Sequence, residues 1–395
     1  MKRFFSYSIL GTALVVLIGG FFLLNRLMEF RNEIESLKDQ GFPVAISDLE
    51  TDPADGQVDA TKQFSRLLGP LGSFEAEMNE DPEIHDREVD ETTIKLFNEL
   101  DTAYPTVYPL ITEIANAGFV GFEKKGVGAR EALDFELDRM QHLRNCARVL
   151  DFKARILAAQ GKPDQALEAT MEIFKLCQAF EKRPTLIGHL VRSACRGIAI
   201  RSAYGILSEH DVAAKSREQL NALLDSFEAS DGYHWTLVSE RAVGSSLLSE
   251  MGTLHLALSG MSYLDLIEGE IQQCDKEAFE KDLSFADGFQ AHMIMPAITQ
   301  TRLANSRLKS QIRGLRIVNA LTEHPESVDK EKIDKDYLMS IGVPEQMTID
   351  TMDGKPMKIK RVDDFWVVYS VGEDLIDDGG EVSENSLNDF VVGPE

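Results

Sequence analysis

Residues 154–176 read ARILAAQGKPDQALEATMEIFKL. Apolar and small side chains recur at helical spacing on both sides of a break. Leu143, Ala147, Leu150, Ala154, Leu157 and Ala158 form one stripe before it. Ala166, Leu167, Thr170, Ile173, Phe174 and Cys177 form another after it. Gly161 suits the left-handed close of a helix, and Pro163 suits the first turn of the next. The stretch predicts two helices folded back on each other, with alanines small enough for close approach.

That pattern extends outward and predicts a mainly α fold. The segment resembles a tetratricopeptide-type hairpin, although a solenoid needs several copies at a period of about 34 residues and none is convincing. An α-helical domain is expected over residues 58–325. Within it, a run starting at Asp90 is helical, with Pro105 and Pro109 bending or splitting it. Residues 286–323 read as a long helix interrupted near Pro296. Arg192, Arg196 and Arg201 accompany a largely apolar run. Either Arg192 or Arg196 meets an acid such as Glu136 or Glu240 in the interior, or the arginines lie on a wet face.

A net charge of −25 on 395 residues disfavours phosphate backbones, so nucleic-acid binding is not expected. Cys146, Cys177, Cys195 and Cys274 lack zinc spacing and sit in apolar helical patterns. They read as buried free thiols, with one or two disulfides open to them if the body is exported. The eight histidines are scattered singly, and Asp138 with His142 is an ordinary helix-face pair. No nucleophile, base and orienter can be assembled, so the chain reads as non-enzymatic. The competing class is a hydrolase-like enzyme with a site in the helical body.

Residues 4–24, FFSYSILGTALVVLIGGFFLL, carry no charge. As a helix they would cross about 30 Å of hydrocarbon. The run exceeds a cleavable signal's apolar region and has no small-residue cleavage site after it. It is therefore expected to be a transmembrane signal anchor, preceded by a cytoplasmic tip at residues 1–3 and followed by a juxtamembrane helix and linker at 25–57. The N-terminus is expected inside and the body outside, although the flanking Lys and Arg are nearly balanced. Leu27, Phe30, Ile34 and Leu37 form a short heptad seam. It serves either self-association into a homo-oligomer or rest against the body.

A small C-terminal module is expected over 326–395. Its β-formers predict a hairpin from Met357 to Tyr369 that turns at Asp363–Asp364. An oxygen-rich loop follows, with Asp374, Asp377, Asp378, Glu381 and Asp389 as candidate Ca²⁺ ligands and Gly379–Gly380 for tight backbone. The other reading is a solvated acidic tail.

The string DGKPMKIKRVDDFWVVYSVGEDLIDDGG, 353–380, resembles the ending of planctomycete-type membrane-anchored proteins. That ending is similar to the C-terminal region of type II secretion pseudopilins. GFPVAISDLE, RPTLIGHLV and the SER at 239–241 are similar to other elements of the planctomycete family. The resemblance implies an anchored architecture and a calcium loop, but no reaction. The anchor lacks the prepilin-type start, which weighs against pilus assembly. The combined expectation is a membrane-anchored cell-envelope scaffold or protein-interaction module with an unidentified protein partner; its alternatives are the hydrolase-like enzyme and a pseudopilin-like secretion subunit.

Overall fold

The computed structural model describes residues 2–49, 52–81, 84, 88–121, 126–181, 185–229, 232–274, 289–329, 333–380 and 389–394, with backbone alone for 2–16 and 289–294. Twelve α-helices lie among the described residues, in keeping with the mainly α expectation. They are α1 (Lys2–Asp39), α2 (Thr61–Met78), α3 (Glu91–Ala103), α4 (Val107–Ala117), α5 (Ala129–Ala159), α6 (Pro163–Ala179), α7 (Leu186–Glu209), α8 (Ala214–Glu228), α9 (Gly232–Glu250), α10 (Thr253–Gln273), α11 (Phe289–Glu323) and α12 (Lys335–Ser340).

The α5–α6 hairpin forms as its sequence predicts. Gly161 takes φ 72°, its N–H reaches Ala158 O at 2.9 Å, and Lys162 N–H reaches Leu157 O at 2.9 Å. Both orphan carbonyls at the helix end are thereby satisfied. Ala154 and Ala166 are fully buried beside Leu150, Leu167 and Phe174. The split at Pro105 is also observed: α3 ends at Ala103, and Pro109 lies in the first turn of α4. Asp90 caps α3, its carboxylate accepting from Thr93 N–H at 2.7 Å. A two-residue parallel bridge, β1 (Val58–Asp59) with β2 (Gly118–Phe119), joins the linker to the end of α4, where no strand is legible in the sequence.

One expectation needs correction. The helix α11 runs unbroken through Pro296, where an interruption was expected. Packing of the downstream turns evidently outweighs the hydrogen bond that proline removes. In the C-terminal module the expected hairpin forms and gains a partner strand, and its apolar side chains pack on α11 as well as on one another. Its hairpin, β3 (Lys358–Val362) and β4 (Phe365–Ser370), is joined by a third strand, β5 (Phe390–Val392), from a stretch that reads as acidic tail. Gly314 on α11 leaves room for Val392: a Cβ there would stand 2.9 Å from its Cγ2. Tyr204 Oη donates to Trp366 O at 3.1 Å, and Trp366, Val368 and Val392 join the core cluster that contains α2 and α4–α8. The boundary at 325 marks the end of α11, but not a gap in packing.

Helix α1 changes character along its length. Leu17 is 69% exposed and Phe21 66%, and Ile18, Phe22 and Leu24 are also exposed. Ten residues further on, Phe30 and Leu37 are buried, and Leu27, Phe30 and Ile34 pack into a cluster with Leu256, Leu264 and Ile267 of α10. Gly260 makes the close approach possible, because a Cβ there would lie 2.6 Å from Phe30 Cδ2. The heptad seam thus rests on the body. The apolar run 4–24 lies on α1, but residues 4–16 are described by backbone alone. Among the described residues no helix is long and apolar enough to cross a membrane.

Candidate functional site

Three clusters of charged side chains carry chemistry. The first lies where α5 meets the start of α7. Arg192 and Glu136 are buried and converge over Gly188, where a Cβ would lie 3.1 Å from Arg192 Nη1 and 2.9 Å from Glu136 Oε1. Arg192 Nη1 donates to Phe180 O at 3.3 Å. Arg139 pairs with Glu136 at 3.3 Å, donates to Val120 O at 2.8 Å and stacks over Phe180. Arg196, also buried, pairs with Glu181 and lies 4.4 Å from the Phe227 ring centroid. The interior reading of Arg192 and Arg196 is correct, but the acid paired with Arg196 is Glu181, in the turn before α7. Glu240 instead accepts from Leu186 N–H at 3.0 Å, and burial pushes its carboxyl up.

Cys177 and Cys195 face each other inside this cluster, and Cys177 Sγ donates to Arg192 O at 3.7 Å. Burial pushes the Cys177 thiol up, but its contact with Cys195 and the charges of Arg196 and Arg192 bring it down on balance. Cys195 moves up, from the same contact and from burial. None of the four cysteines is in a disulfide; three are buried and Cys274 is partly exposed.

The second cluster lies between α9, α10 and α11 and was missed in the sequence. Glu270 is fully buried, accepts from Tyr233 Oη at 2.9 Å and lies 3.5 Å from Arg302. Burial pushes its carboxyl up against the pull of Arg302 and Tyr233. The His189 ring meets the Tyr233 ring at a tilt of 52°, with centroids 5.5 Å apart, and lies 3.4 Å from Thr236 Oγ1. Burial first, and then the charges of Arg192, Arg196 and Lys309, hold His189 well below its ordinary range. A signal was present: Glu270 interrupts the apolar periodicity of α10, as an acid with an interior partner would.

The third cluster is the predicted cation loop. Asp374 accepts from Ile376 N–H at 3.0 Å, closing its own turn around Leu375 at φ 60°. Asp377 accepts from Gly379 N–H at 3.1 Å and Tyr369 Oη at 3.1 Å, and it pairs with Lys358 at 3.3 Å. Desolvation pushes Asp377 up, but these bonds bring it down on balance. Lys360 donates to Gly379 O. Asp389 is buried, and its Oδ2 accepts from Gly380 N–H at 2.7 Å. Desolvation raises Asp389, and the charges of Asp377 and Asp378 add to the rise. Asp378 is exposed, and Glu381 lies outside the described residues. Among the described residues, no three His, Cys, Asp or Glu side chains are grouped to hold a metal ion. Of the predicted ligands, Asp377, Asp378 and Asp389 lie close enough to feel one another's charge, while Asp374, Asp377 and Asp389 bond to backbone N–H groups and Asp377 also to Lys358.

The first two clusters are closed, with ion pairs facing inward. An open hollow of about 690 Å³ lies along α3, lined by Glu91, Ile94, Lys95, Asn98, Glu99, Thr102 and Ala103. One helix supplies every wall, so titratable groups do not converge on it from different elements as a catalytic pocket requires. Asp138 and His142 do not form a catalytic pair: Asp138 is exposed, and His142 Nδ1 is buried without a partner near the Phe64 ring. Ser246 accepts from Ile46 N–H at 3.0 Å, fastening the linker to α9. No protein-family model, curated protein or solved structure matches the chain.

Proposed function

We propose that the chain is a single-pass membrane protein of the bacterial envelope, anchored by residues 4–24, with its helical body outside. In this reading the body is a non-enzymatic scaffold or interaction module held beside the bilayer. The observation that carries it is the change along α1, from large apolar side chains open to the surroundings at 17–24 to a seam packed against α10 at 27–34. A helix that is apolar all round needs an apolar medium. The inward-facing ion pairs support the scaffold over the enzyme. The test is alkaline-carbonate extraction of membranes from expressing cells. The full chain stays with the lipid pellet, and a chain lacking 1–24 is released. Full-length protein in the aqueous fraction, with its first residues intact, would end this reading.

The secretion-linked reading gains one specific support. Asp389 Oδ1 is buried with no close hydrogen bond among the described residues, although the Asp378 N–H also faces this carboxylate; two further aspartates stand beside it, and a hard cation would satisfy it. Calorimetry on the full chain tests it: heat at millimolar Ca²⁺ that vanishes in Asp389→Asn supports a weak calcium loop, and its absence in the unaltered chain removes it.

A further inference from the structure

The start of α10 carries a second apolar surface. Leu254 and Leu258 are each 57% exposed, one turn apart on one face, and Met251 before them is 50% exposed. Leu256, Ala257 and Gly260 on the opposite face are buried. Exposed leucines at this spacing form a patch, in contrast to isolated surface residues.

The direction of packing fixes where this patch lies. Phe30 of α1 meets Gly260 of α10. Phe42 N–H closes on Leu37 O at 3.0 Å at the far end of α1, and the Phe42 ring lies 5.1 Å from Arg241, which pairs with Glu268. Both chains therefore ascend together, so α1 and α10 run parallel. Six residues back from Phe30 is Leu24, and six residues back from Gly260 is Leu254. At about 1.5 Å per residue, both steps descend roughly 9 Å to one level. Leu258 shares a level with Met28 by the same count. The patch thus stands at the height where the apolar run of α1 begins.

The surroundings fit an interface. Glu250, the acid that precedes Met251 in the chain, is engaged elsewhere: it accepts from Ala129 N–H at 2.5 Å at the start of α5. From Met251 to Leu258 the chain carries no Asp, Glu, Lys or Arg. Arg26, just past the apolar run, pairs with Glu29 at 4.0 Å and lies 6.0 Å from the Phe22 ring centroid, which puts the first charges of α1 at the level of this patch. We infer that Met251, Leu254 and Leu258 dip into the outer headgroup–acyl boundary beside the anchor, giving the body a second lipid contact that fixes its tilt. This rests on the anchor reading, and the occupant is the bilayer itself. A net charge of −25 gives no attraction to anionic headgroups, so the contact is hydrophobic and suits zwitterionic lipid.

The test uses the full chain in phosphatidylcholine vesicles. Single cysteines at Leu24→Cys, Leu258→Cys and Trp235→Cys carry an environment-sensitive fluorophore, with labelling of the unaltered chain subtracted. Trp235 is exposed about fifteen residues away along α9, roughly 22 Å at about 1.5 Å per residue. The expected result is blue-shifted emission, quenched by nitroxide lipid, at both 24 and 258, with emission at 235 as in water. A wet 258 beside a buried 24 overturns the dip and leaves the anchor standing. A wet 24 overturns the anchor, and the dip with it. Loss of the shift at 258 in the additional variant Leu254→Asp, with 24 unchanged, confirms that the patch makes the contact.

Discussion

The two hairpins α5–α6 and α9–α10 have the same outline and opposite interiors. In α5–α6 the facing surfaces are alkyl and aromatic, with Leu143, Leu150, Ala154, Leu167, Ile173 and Phe174 fully buried. In α9–α10 the interior holds Glu240, Arg241, Tyr233 and Glu270, and glycines at 244 and 260 open gaps that Tyr263 and Phe30 fill. The first hairpin is a close-packed beam whose stability comes from buried apolar area. The second is a socket: its charges set one arrangement, the gap at Gly244 lets its own two helices close through Tyr263, and the gap at Gly260 receives an element from elsewhere, the C-terminal half of α1. Side-chain volume should therefore matter most in the first hairpin, and single added methyls in the second.

The largest expected effect is in the beam. Phe174→Ala removes a fully buried ring that packs on Phe227 at 5.4 Å, and should cost about 3–5 kcal/mol of global stability, read as a lower denaturant midpoint. The socket should respond differently. Gly260→Ala forces Phe30 to move and should cost about 1–3 kcal/mol, borne mainly by the α1 contact. Hydrogen exchange would show faster exchange over residues 27–37 with little change in α5–α6. Uniform loosening of both hairpins would contradict the distinction.

The same contrast explains what the sequence discloses. Gly161 and Pro163 act within one turn of themselves, and the alanine stripe repeats locally, so α5–α6 is legible. The seam Leu27–Leu37 is legible as a seam, but its receptor, Gly260, is a missing side chain 230 residues on from Phe30. Arg192 and Arg196 announce an interior need, yet Glu181 lies in a turn, outside any helical face that periodicity can rank. Strand β5 is three residues long, beyond an acidic stretch, and is specified by pairing with β4. The aspartates of the loop are legible as a run of carboxylate oxygens. Their engagement with Gly379, Gly380 and Lys358 depends on the hairpin register and on the positive φ of both glycines.

Acid and base responses divide the hairpins further. His189, facing Thr236 and Tyr233 of the socket, is held neutral in the folded state. Its unfolded counterpart takes up a proton below pH of about 6.5. The unfolded state then binds more protons, so stability falls as pH drops below that point, by up to about 1.4 kcal/mol per pH unit from this group. His189→Gln should flatten the fall between pH 6.5 and the folded value, seen in urea midpoints taken across pH. An identical slope in the variant would place the acid sensitivity elsewhere.

Glu172, in the beam, should act with the opposite sign and a smaller size. It is buried against α4, accepts from Thr112 Oγ1 at 2.8 Å, and burial raises its carboxyl despite Lys153 and Lys175. The folded state therefore keeps its proton to higher pH than the unfolded chain, which ionises near 4.3. Stability from this group is present below about 4.3 and is lost as pH rises through the raised folded value. Glu172→Gln keeps the Thr112 hydrogen bond and removes the charge. It should stabilise the protein at pH 7 by about 1 kcal/mol or less, with no gain at pH 4, because a neutral amide and a protonated acid make nearly the same contact. A gain of equal size at both pH values would mean that packing, not ionisation, sets the cost of this residue.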